Sequence, residues 1–136
     1  VAAAIKLTRP ETQVIGVEPE LAADAQASLR AGKIVQFPAE QVSRTLADGL
    51  RTQSVGPINF EHIRAYVDDI VTVTEDEIRQ SMKLLAQNPK TIAEPSGAVS
   101  IAGFLFRQDQ LPKTQLNVAI ISGGNIEPAM LQELRT

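Results

Sequence analysis

The chain switches between short β-branched runs and longer stretches with helical spacing. Val14-Ile15-Gly16-Val17-Glu18-Pro19 predicts a strand of four or five residues, closed by Pro19. Ile70-Val71-Thr72-Val73 predicts a second strand. Val118-Ala119-Ile120-Ile121 predicts a third, apolar at every position and therefore covered on both faces. Between these runs the period changes. Val1 to Leu7 is helix-forming from the first residue, and Pro10 ends that helix. Ala22 to Ala31 favours helix, with Gly32 placed as its C-terminal cap. Phe60, Ile63 and Val67 share one helical face. Thr74 followed by Glu77 is a capping box, and the helix behind it runs to about Gln87 with Ile78, Met82 and Leu85 inward and Leu84 as a further candidate. Pro95 opens a helix to about Phe106 whose small residues, Gly97, Ala98, Ser100, Ala102 and Gly103, would let another backbone come close. Lys33 to Phe37 reads as extended, and residues 39–57 as an irregular connection or one short helical turn. Residues 108–115 read as a polar loop. The alternation of helices and strands gives an α/β class, three-layered with a mostly parallel sheet.

Composition narrows the function classes. The chain has 136 residues, one domain's worth, with a net charge of −3 and no cluster of Lys or Arg, so neither nucleic acid nor an anionic membrane is expected as a partner. Cysteine is absent and His62 is the single histidine, which excludes thiolate and multi-histidine metal sites. No apolar run reaches membrane-spanning length, no signal peptide is expected, and with no cysteine the redox compartment stays open, the cytoplasm being the default expectation. Val1-Ala2-Ala3-Ala4 reads as a helix already under way, with its first amides uncapped, so the chain is expected to be the C-terminal piece of something longer.

The candidate chemistry centres on Leu116 to Asn125, where the third apolar run stops at Ser122-Gly123-Gly124-Asn125 and Pro128 opens a helix. Strand, small-residue turn and helix is how an open α/β sheet builds a ligand site at a strand's carboxyl end. An ordinary strand-to-helix turn that binds nothing has the same pattern.

Five segments in order resemble one family. They are V-I-G-V-E-P at Val14 to Pro19, T-L-A-D-G-L at Thr45 to Leu50, and V-D-D-I-V-T-V-T-E-D-E-I at Val67 to Ile78. A-E-P-S-G-A at Ala93 to Ala98 and I-S-G-G-N at Ile121 to Asn125 complete the set. Together they resemble the pyridoxal-phosphate enzymes of fold type II, and within them the threonine/serine dehydratases with serine racemase and the hydroxyaspartate ammonia-lyases. The resemblance implies a tryptophan synthase beta-like fold, of which residues 1–136 would be the C-terminal portion of the large, cofactor-binding domain. The family's Schiff-base lysine and its tetraglycine phosphate loop would lie upstream. None of Lys6, Lys33, Lys83, Lys90 and Lys113 matches the lysine motif, so this chain alone is expected to be inactive.

The resemblance also assigns roles. Ser122 falls on the position that hydrogen-bonds the pyridine nitrogen, with Gly123, Gly49 and Glu94 close to the cofactor. Glu18, the Ala22 carbonyl and Asp24 fall on a site for magnesium or calcium, chemistry that suits hard oxygen donors. Lys90 and Asn125 fall on contacts to ATP in nucleotide-stimulated members. Each has a plainer reading: Ser122 as a turn serine, Glu18 as a strand end, Asp24 as a solvated first-turn acid, Lys90 as a surface lysine, and Glu94 as a helix-start acid. The implied activity is dehydration and deamination of L-threonine or L-serine, with serine racemase or threo-3-hydroxyaspartate ammonia-lyase as alternatives. The implied partners are a small amino-acid substrate, the N-terminal part of the same enzyme, and a second copy in a homodimer. A non-catalytic α/β binding module is the reading from outside the enzymes.

Overall fold

Two strands run side by side at the centre of the computed structural model, which describes residues 1–88 and 91–135. Strand β1 (Ile15–Pro19) pairs in parallel with β2 (Asp69–Val73), Ile15 opposite Asp69 and Pro19 opposite Val73. Parallel neighbours need a crossover. Here it carries a 3-10 turn (Glu20–Ala22), helix α2 (Asp24–Ala31), the short α3 (Ala39–Val42), a second 3-10 turn (Asp48–Leu50) and α4 (Pro57–Tyr66). Helix α1 (Ala2–Thr8) precedes β1, while α5 (Glu75–Ala86), α6 (Pro95–Phe106) and α7 (Pro128–Arg135) follow β2.

The strand alternation sorts these helices into layers. Val17 points at α6, where a Cβ on Gly103 would lie 2.6 Å from Val17 Cγ2, so Gly103 lets helix and sheet approach closely. Glu18, one residue on, meets α2 on the opposite face. The α6 side holds the main core, in which Val73, Ile78, Met82, Ala98, Val99 and Ala102 are buried together. Each fully buried large side chain there is worth about 1.5–3 kcal/mol.

Capping and two ion pairs fix the helix ends. Thr74 Oγ1 accepts the Glu77 amide at 3.3 Å, and Glu77 Oε2 accepts the Thr74 amide at 2.7 Å, the reciprocal pair expected from sequence. Gly32 caps α2 at φ 66°, in the left-handed region that favours glycine. Arg107, at the end of α6, makes a two-point pair with Glu77 at the start of α5 and donates from Nε to the Thr72 carbonyl. On the other side Asp68 takes Lys6 Nζ and the Val14 amide. That lysine is the main reason its carboxyl sits below the ordinary range.

Two expectations fail. Residues 118–121 form no strand, and Leu116 and Val118 are 81% and 82% exposed. A strand exists only through a hydrogen-bonded neighbour, and neither β1 nor β2 runs beside this segment. It is held to α6 instead: Ser100 Oγ donates to the Ile120 carbonyl at 2.7 Å, and the Glu94 amide to the Gly123 carbonyl at 3.3 Å. Residues 33–37 are likewise irregular, tied through Val35 N–H to Ser28 Oγ and Phe37 N–H to the Gln53 carbonyl. An apolar run signals burial, but only a ladder partner makes it a strand.

Candidate functional site

Helix α6 begins at a point where three chain segments meet. Its first turn carries Glu94 as N-cap residue, Pro95 at the first position, then Ser96 and Gly97. Proline suits this position because its missing amide would have no helical partner. The Gly49 amide donates to Ser96 Oγ at 2.9 Å, which brings the 45–50 segment onto the helix. From the other side comes the Ser122 to Asn125 turn. Gly123 has φ 83°, and the Asn125 amide donates to Glu94 Oε2 at 2.8 Å. A Cβ on Gly97 would collide with the Ser122 carbonyl oxygen and lie 2.7 Å from that of Gly123. So Gly49, Glu94, Ser122, Gly123 and Asn125 share one end of one helix. Ser122 is exposed, and among the described residues its hydroxyl makes no hydrogen bond, which leaves it free for a ligand.

The same neighbourhood is braced from below. Glu75, the first residue of α5, accepts the Leu46 amide at 2.6 Å, and Arg51 donates from Nε and Nη2 to the Thr45 carbonyl. Thr45 is buried and its hydroxyl takes the Ala47 amide. These contacts make the irregular 45–52 stretch a fixed structure. Sequence reasoning missed Ser96, Glu75, Arg51 and Thr52: three of them act on segments 28 to 47 residues away, and Arg51, six residues from Thr45, follows no local pattern.

Glu18, Ala22 and Asp24 gather at the carboxyl end of β1 and the start of α2. Both Glu18 oxygens accept α2 amides, Ala25 at 3.1 Å and Gln26 at 2.8 Å, so the carboxylate sits on the positive end of the helix. Burial raises the Glu18 pKa to about 7 against the pull of the Gln26 and Ala25 amides, and the charge of Asp24 adds to the rise. Asp24 is 1% exposed, which rules out the solvated first-turn acid. Burial raises its pKa as well. Thr52 donates to Asp24 Oδ1 at 3.4 Å, and Oδ2 is buried with no partner. A buried carboxylate oxygen without a donor is costly, and a hard cation is one remedy. The donors are all oxygen, the chemistry a magnesium or calcium ion requires. Among the described residues no three His, Cys, Asp or Glu side chains cluster to hold a metal, so such a site would need backbone carbonyls and water.

Lys90 lies outside the described residues. Asn125 is exposed and joins the α6 cluster through its backbone amide. Among the described residues no helix is long and apolar enough to cross a membrane.

The chain is 37% identical over 126 residues to the L-threo-3-hydroxyaspartate ammonia-lyase of Saccharomyces cerevisiae, a match covering 93% of this chain and 37% of that protein. It is 39% identical over 135 residues to the catabolic L-threonine dehydratase of Escherichia coli, covering 98% of this chain and 40% of that one. The solved structure of the T.th. threonine deaminase superposes with a TM-score of 0.85 at 42% identity, over 93% of this chain and 44% of the other. The chain thus spans well under half the length of the relatives it matches. Residues 1–123 match the family model described as pyridoxal-phosphate dependent enzyme, and with a turn, a glycine and a free serine hydroxyl assembled at the head of α6, the chain belongs to that family.

Proposed function

We propose that this chain is part of a pyridoxal-phosphate lyase that dehydrates and deaminates a 3-hydroxy amino acid, L-threonine or L-serine, to a 2-oxo acid and ammonia. The observation that carries the reading is the free Ser122 hydroxyl, held at the head of α6 beside Gly123 and Glu94. When bound, pyridoxal phosphate supplies the sink that draws electrons from the substrate's α-carbon. The chain's own contribution is to set how strong that sink is. A neutral hydroxyl at Ser122 accepts from or donates to the ring nitrogen without holding it protonated, as an aspartate there would. A weaker sink suits elimination, in which a leaving hydroxyl takes the charge away. Gly49 and Gly123 let Ser96 and Glu94 pack against their backbones, which draws both segments in around the Ser122 turn.

Glu18, the Ala22 carbonyl and Asp24 hold magnesium or calcium in this reading, which relieves the unpartnered Asp24 oxygen. ATP as an effector contacting Lys90 and Asn125, a homodimer, and a cytoplasmic location belong to the same proposal. So does an N-terminal portion that supplies the lysine and the phosphate loop, with residues 1–136 as the C-terminal portion of the large domain.

The test is an assay of the complete enzyme with L-serine, L-threonine and threo-3-hydroxyaspartate, with and without EDTA. A visible band of bound cofactor with 2-oxo acid release supports the lyase. Inversion of L-serine without 2-oxo acid release would replace it with a racemase, and no cofactor band would overturn the enzyme reading.

A further inference from the structure

Ser122 needs a fixed backbone, and the contacts that fix it converge on Glu94 and Gly97. The Glu94 amide donates to the Gly123 carbonyl at 3.3 Å, while Glu94 Oε2 accepts the Asn125 amide at 2.8 Å. One residue therefore holds the turn that follows Ser122 at two points, Gly123 through its backbone and Asn125 through its side chain. The third contact is steric. The space beside Gly97 is filled by the Ser122 and Gly123 carbonyls, which are backbone atoms and cannot rotate away. At Gly16, Gly49 and Gly103 the equivalent space is filled by side chains of Ile70, Ser96 and Val17. Gly123 itself closes the arrangement, since a Cβ there would collide with Glu94 Oε1.

We propose that Glu94 is a positioning residue: it acts on the cofactor through Ser122, by clamping the turn that carries it against the head of α6, with Gly97 setting the distance of approach. This deepens the cofactor reading above and rests on it. What the clamp requires of Glu94 is an acceptor oxygen at one place. It does not require ionisation. A carboxylate that worked as an acid, a base or a charge beside the ring would require the ionisable group itself.

That difference is measurable in the complete enzyme, with pyridoxal phosphate as the probe. Glu94→Gln keeps an acceptor of the same length, and Glu94→Ala removes it. Loss of a charge-assisted hydrogen bond is worth about tenfold in an equilibrium constant. Glu94→Ala is expected to weaken cofactor binding about tenfold and shift its visible band, while Glu94→Gln stays within about threefold of the parent with an unchanged pH dependence of the band. Gln as damaging as Ala, or Ala without effect, would overturn the proposal. If Glu94→Ala does not fold, Glu94→Gln and Gly97→Ala decide between them. Near-parental binding in the first with weakened binding and a shifted band in the second supports the clamp, and any other pairing overturns it. A parent enzyme that binds no pyridoxal phosphate at all would instead refute the cofactor reading, so the two failures are distinct.

Discussion

Arg107 and Glu77 join the end of α6 to the start of α5, and breaking that pair gives the most quantitative test of how the site's scaffold is held. Nη1 lies 2.7 Å from Glu77 Oε1 and Nη2 2.7 Å from Oε2, a planar two-point contact, and both side chains are 18% exposed. Fully exposed pairs contribute about 0–1 kcal/mol and breaking fully buried ones costs about 3–5 kcal/mol, so roughly 2 kcal/mol is expected at this intermediate depth. Burial alone would raise the Glu77 pKa, but Arg107 and the Thr74 amide outweigh it and hold the carboxyl below its ordinary range. The sign follows. A depressed carboxylate stabilises fully above its unfolded pKa, and that stability is lost as pH falls through the folded value. The assay is amide hydrogen exchange of peptides covering residues 74–82 and 100–107, which reads local opening in a protein of any length. Arg107→Ala should speed exchange there by about 30-fold at neutral pH, the equivalent of roughly 2 kcal/mol. Glu77→Ala should do more, because it also removes the acceptor of the Thr74 amide, the glutamate half of the capping box. After correction for intrinsic rates, the parent should lose this protection in acid and Glu77→Gln should not. A change below about threefold in Arg107→Ala would refute the reasoning, since the pair would then be no stronger than a surface contact.

Three further outcomes follow from the geometry. Ser122→Ala should lower affinity for pyridoxal phosphate by about tenfold in a spectroscopic titration, and unchanged affinity would remove its assigned role. Asp24→Asn should abolish the rise in melting temperature produced by added magnesium or calcium, yet leave the cation-free enzyme at least as stable, because a neutral amide replaces a buried carboxylate that has one unpartnered oxygen. Persistent stabilisation by the cation would place it elsewhere. Asp68→Asn should release α1, whose Lys6 it holds, and show as faster exchange confined to residues 2–14.

Local structure is legible in the residues wherever a pattern and its partner lie within one turn or one strand. Thr74 and Glu77 are three residues apart, so their capping box was legible, as was the glycine that ends α2. The β-branched runs at 15–19 and 69–73 became paired strands, and Pro95 opened α6. The small residues of that helix announced a close approach without naming the partner. That Gly97 meets the backbone of Ser122, and Gly103 meets Val17, emerges only on folding. Asp24 reads as a surface acid from its neighbours, and folding buries it with one oxygen unpartnered. The run at 118–121 reads as a strand, yet among the described residues no strand pairs with it, and a hydrogen bond from Ser100 to the Ile120 carbonyl holds it to α6. The physical reason is common to all three. Helix propensity and capping are short-range and written in adjacent residues, whereas burial, ladder pairing and the seating of a turn are set by atoms that arrive from dozens of residues away.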